Sequence, residues 1–107
     1  MPAAGQGFAD TIELLIGLDA KAQRITGLYV LAQKETPGLG NKIIEPSWLE
    51  QFAGKTTMAA LAVKKIKQLG QSDILAVTGA TISSDRVARI VNDTVAELKD
   101  ELAASVQ

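Results

Sequence analysis

The chain of 107 residues has a net charge of −1, a pI near 5.3 and 47% hydrophobic residues. That suffices for one domain with its own core, without the basic excess of a nucleic-acid-binding surface. Cysteine and histidine are absent, which excludes disulfides, iron–sulfur ligation, thiolate zinc sites, a cysteine nucleophile and any triad built on histidine, so redox chemistry would need an organic cofactor and no metal site is expected.

In chain order, Met1–Gly7 reads as a flexible lead-in to a single domain over residues 1–107, without a signal-peptide pattern. Thr11-Ile12-Glu13-Leu14-Leu15-Ile16-Gly17-Leu18 alternates well enough for a strand, Asp19–Gln23 turns, and Arg24–Lys34 returns, which predicts a β-hairpin. In the loop Glu35-Thr36-Pro37-Gly38-Leu39-Gly40, Pro37 presets φ at the second position of a turn. Gly38 supplies the positive φ that a type II turn needs at the third. Pro46 suits the first turn of a helix reaching Phe52, with Trp48 and Phe52 four apart on one face and Gly54 placed to end it. Trp48 is read as core, with stacking on a flat ligand as the alternative. Within Met58–Leu69 the residues Met58, Leu61, Ala62, Ile66 and Leu69 fit a helix, while Lys64, Lys65 and Lys67 look like a solvated face.

Ile74-Leu75-Ala76-Val77 is a short, continuously apolar run that reads as a buried strand, and Thr78-Gly79-Ala80-Thr81-Ile82-Ser83-Ser84 follows. Beyond it Val87, Ile90, Val91, Val95, Leu98 and Leu102 recur with helical spacing, while Arg86, Arg89, Asp93, Glu97, Lys99 and Asp100 fall largely on other faces. The helix is expected to start at Ser83, Ser84 or Asp85, each able to cap it. Its first-turn amides and positive dipole end then face Gly79-Ala80-Thr81, a place to hold a phosphate. A plain capped junction accounts for the same residues. A nucleotide-binding P-loop is disfavoured, because no Gly-Lys-Ser/Thr follows the turn. No apolar run approaches the roughly 20 residues that cross a bilayer.

Four segments in this order, the glycine-containing hairpin from Arg24 to Lys34, the Glu35-to-Gly40 loop, Trp48-to-Lys55 and Thr78-Gly79-Ala80-Thr81, resemble the FMN-binding domain of the G subunit of the Rnf electron-transport complex and the C subunit of the sodium-translocating NADH:quinone oxidoreductase. The resemblance covers about residues 5 to 95. It implies a strand at Ala60–Ile66 and an α+β fold: a small antiparallel sheet, a long C-terminal helix packed on one face and a short side helix. It also implies FMN joined through a phosphoester to Thr81 by a flavin transferase that uses FAD. Thr78, Gly79, Ala80, Ile82, Ser83 and Ser84 would surround the attachment, and Glu35, Thr36, Gly38 and Leu39 are candidate non-covalent contacts. Ser83 and Ser84 fit helix capping equally, and the Glu35-to-Gly40 loop fits a simple connection between elements.

The expected partners are other subunits of a membrane redox complex and the transferase, with no nucleic acid. The expected place is the extracytoplasmic face of the cell membrane, through an N-terminal anchor that is missing here; a naturally soluble protein is the alternative. Family members usually carry aspartate three residues before the first Ser/Thr of the motif, where this chain has Leu75, and the nearest acid is Asp73. The function implied is an electron relay within an ion-translocating complex; the rival is a sensory or structural FMN module of a membrane regulator.

Overall fold

A computed structural model describes residues 1–7, 10–20, 22–35, 40–57, 60–64, 72–77 and 80–105. The hairpin forms as its alternation predicts: β2 is Thr11–Leu18 and β3 is Ile25–Ala32, antiparallel, with a bulge between Gly17 and Leu18 and another between Glu13 and Leu14. Ile12, Leu14 and Ile16 are fully buried between exposed Thr11, Glu13 and Leu15, the signature of a sheet with one face on the core. Pro2–Gln6, expected as a flexible lead-in, instead forms strand β1, paired antiparallel with β2 from Pro2–Leu15 to Gln6–Thr11. Its sequence Pro-Ala-Ala-Gly-Gln carries little strand propensity; pairing to the open edge of β2 overrides that, and Pro2 sits at the strand's first position, where a missing N–H is tolerated.

Gly40–Ile44 makes a 3-10 turn, and α1, Pro46–Leu49, continues into a second 3-10 turn at Glu50–Phe52. Trp48 and Phe52 meet edge-to-face with ring centroids 5.3 Å apart, and both are buried, so Trp48 is a core residue. Gly54, at φ +84°, turns the chain back, and its N–H donates to Ile25 O at 2.7 Å.

Of the ambiguous segment, residues 60–64 are described and Ala62–Lys64 forms strand β4, paired in parallel with β5, Asp73–Leu75, while Met58, Ile66 and Leu69 lie outside the described residues. This pair is separate from the three-stranded antiparallel sheet. The long helix α2 spans Thr81–Ser105 and lies against β1, β4 and the Gly40–Ile44 turn. Its Val87, Ile90, Val91 and Val95 close the core over Ile12, Leu14, Ile16, Ile43, Phe52 and Ile74. Burying each such side chain stabilises the fold by roughly 1.5–3 kcal/mol. The architecture is the expected α+β sheet and helix.

Candidate functional site

The strand-turn-helix junction is held from behind by side-chain amides. The Leu75 N–H donates to Gln51 Oε1 at 2.7 Å, and its carbonyl accepts from Trp48 Nε1 at 2.8 Å and Gln51 Nε2 at 3.1 Å. Beyond it the Ala76 N–H donates to Lys64 O at 2.8 Å. The Val77 N–H then reaches forward to Ser84 Oγ at 3.1 Å, and the Ser84 hydroxyl donates back to Ala80 O at 2.7 Å. Ser84 is therefore fully buried and committed to the turn.

Those bonds move the helix start. Ser84 N–H donates to Ala80 O at 2.9 Å, an intrahelical bond, so α2 begins at Thr81 and not at Ser83, Ser84 or Asp85. The Ser84 hydroxyl, expected to cap forward, points backward instead and satisfies the strand side of the turn. Thr81 thus occupies the first helical position, half-buried, with Ala80 buried behind it and Ile82 51% exposed beside it.

Ser83 is buried too, and its hydroxyl donates to Glu35 Oε1 at 2.9 Å. Glu35, 4% exposed, lies at the end of the stretch after β3, where its N–H donates to Gln33 Oε1 at 2.8 Å. The structure therefore joins two predicted site residues directly, tying the loop after β3 to the first turn of α2. Thr36, Gly38 and Leu39, like Thr78 and Gly79, lie outside the described residues.

Thr81, Ile82, Asp85 and Arg86 line, with Val63 of β4, an open cleft of about 400 Å³. The sequence pattern marks Arg86 only as part of a polar helix face, yet its Nε is buried and has no hydrogen-bond partner among the described residues. The available sequence signal is its spacing: four residues after Ile82, it shares that residue's side of the helix. Asp85 leans toward Arg89 in an exposed pair at 3.7 Å. Tyr29, 60% exposed, lines a different groove of about 430 Å³ with Ile44, Pro46, Leu49 and Ala53. Leu75, half-buried, lines a third cleft with Lys42, Glu45, Ser47 and Gln51.

A family model described as "FMN-binding domain" matches residues 7–96. The chain is 38% identical over 90 residues to the G subunit of the Na(+)-translocating ferredoxin:NAD(+) oxidoreductase complex of Acetobacterium woodii, covering 83% of this chain and 42% of that protein. It is 39% identical over 98 residues to the G subunit of the ion-translocating oxidoreductase complex of Aliivibrio fischeri, covering 86% and 44%. Among solved structures, NqrC of Shewanella oneidensis superposes with a TM-score of 0.76 at 27% identity, over 86% of this chain and 46% of that one. The C subunit of the Na(+)-translocating NADH-quinone reductase of Parabacteroides distasonis gives 0.76 at 29% identity, over 87% and 50%. The chain spans about half the length of the relatives it matches.

Proposed function

Because the chain belongs to the FMN-binding domain family, whose cofactor is FMN, we propose that it carries FMN through a phosphoester on Thr81 and serves as an electron relay in a larger ion-translocating redox assembly. The observation that supports this most is the setting of Thr81: a half-buried threonine at the first position of a 25-residue helix, lining an open cleft. The residues present suit a phosphate. First-turn amides of α2 and the helix dipole favour an anion there, and Arg86, whose buried Nε has no partner among the described residues, lines the same cleft. Bound FMN supplies one- and two-electron redox chemistry at neutral pH, which this chain's own side chains lack.

The chain's part is attachment, orientation and shielding. Thr81 Oγ would form the new bond to the FMN phosphorus of FAD as the pyrophosphate P–O bond breaks, with AMP leaving with that electron pair and the hydroxyl proton passing to solvent. A flavin transferase catalyses this exchange. Ser84 and Glu35–Ser83 keep the turn and the first helical residues in place, and Gln51 and Trp48 hold the strand before it. Relatives named as subunits of ion-translocating complexes support the assembly. Ion translocation implies a membrane, and we assign the domain to its extracytoplasmic face through an anchor outside this sequence. No helix among the described residues is long and apolar enough to cross a bilayer.

Co-expression with a flavin transferase tests the attachment. The intact mass is expected to rise by one FMN, with fluorescence on a denaturing gel; Thr81→Ala removes both, and Thr78→Ala retains them. Fluorescence persisting in Thr81→Ala would sink the assignment.

A further inference from the structure

A guanidinium nitrogen buried without a partner is an unusual thing for a folded chain to keep. Buried donors are almost always satisfied, and leaving one unmet costs more than a typical hydrogen bond contributes. Arg86 Nε is in that state among the described residues. Its sequence neighbour Asp85 offers no relief, since that carboxylate pairs with Arg89 and is about half exposed. Nor is the site simply a crowded core, because Arg86 borders an open cleft together with Thr81, Ile82 and Val63. Arg86 thus keeps unused donor capacity beside an open cleft, and an anionic acceptor there would suit its planar fork best.

We propose that Arg86 binds the phosphate nearest the flavin, so that the domain holds a phosphorylated flavin more tightly than riboflavin and keeps the phosphoryl group in place beside Thr81. This rests on the cofactor assignment above and deepens it. The guanidinium presents parallel N–H donors to phosphate oxygens, a geometry that an ammonium reproduces only as a point charge. Asp85 in the same cleft wall opposes an anion, but its exposure and its pairing with Arg89 weaken that repulsion.

The test uses flavin-free protein carrying Thr81→Ala, so that binding alone is read. Quenching of flavin fluorescence gives Kd for FMN and for riboflavin. FMN is expected to bind more tightly by about ten- to a hundredfold, the range a charge-assisted hydrogen bond supports. Arg86→Met should bring the ratio close to one with riboflavin binding unchanged, Arg86→Lys should retain part of it, and added salt should reduce it in the parent. Melting of the flavin-free proteins supplies a readout that a structural role would move. Arg86→Met is expected to match or exceed the parent, since it removes a buried donor that has no partner among the described residues. A parent with no preference for FMN, or an Arg86→Met protein that keeps the preference, overturns the proposal. If Arg86→Met does not fold, Arg86→Lys and the salt dependence decide: a ratio insensitive to both overturns it equally.

The attachment reading fails separately. With Thr81 restored and the transferase present, FMN found on another residue would refute Thr81 as carrier, while an Arg86-dependent preference for FMN would still support phosphate binding.

Discussion

Leu75 stands where the family resemblance implies an aspartate, and its surroundings bear on how a carboxylate would fare there. Its side chain is half-buried and borders an open cleft that Lys42 also lines, while its backbone is held by Gln51 and Trp48 whatever the side chain is. Leu75→Asp is therefore expected to melt within a few degrees of the parent and to be flavinylated faster, with both measured on the same protein. An unchanged rate in a protein that melts like the parent would show that a carboxylate at this position plays no part in the transfer. At Glu35 the expectation is reversed. Glu35→Ala strands the buried Ser83 hydroxyl and should destabilise the flavin-free domain by about 1–3 kcal/mol in a denaturant titration, whereas Glu35→Gln keeps an acceptor and should cost less. Thr81 stood out through the resemblance of Thr78-Gly79-Ala80-Thr81 to the family motif, since a hydroxyl after Gly-Ala ahead of a helical pattern also fits a plain capped junction. Arg86 did not, since its distinction is an unmet hydrogen bond, which exists only once β4 and α2 enclose it.

At the scale of elements, the hairpin and the body of α2 follow from their periodicities, since the faces they bury are long enough for alternation or helical spacing to show. The failures are equally physical. β1 is written in residues of weak strand propensity and exists because β2 has an edge to fill. β4 and β5 have three residues each, a parallel pair too short to stand alone. Two side-chain amides substitute for missing strands: Gln51 bonds both backbone polar groups of Leu75, and Asn92 of α2 does the same for Leu61, at 2.8 and 2.9 Å. Gln51→Leu and Asn92→Leu should each accelerate hydrogen exchange at the corresponding amide, Leu75 or Leu61, while β2 and β3 keep their protection. Unchanged exchange at those amides would show that the parallel pair is held by packing alone. Gly54 offers a cleaner test. A Cβ there meets nothing within 4 Å, so Gly54→Ala should report only the backbone cost of φ +84°, about 1–2 kcal/mol, read as a drop in Tm.

Across the whole molecule, the contacts that build the site join distant parts of the chain. β2 and β3 are adjacent in sequence, but Trp48 reaches Leu75 across 27 residues and Glu35 reaches Ser83 across 48. Closing a loop restricts the chain before the contacts it makes can stabilise it, so local hairpins form early and such long-range bonds late. Ser83→Ala is accordingly expected to raise the unfolding rate and leave the folding rate nearly unchanged in a denaturant chevron. A folding rate that fell by as much as the stability would put this contact in the nucleus instead. The Glu35–Ser83 bond thereby acquires a meaning in time as well as in space. The local Ser84 bonds set where α2 starts, and the Glu35–Ser83 bond ties that start to the stretch after β3. That tie is expected to form late in refolding, so protection of the first-turn amides of α2 should follow that of β2 and β3 in pulsed hydrogen exchange.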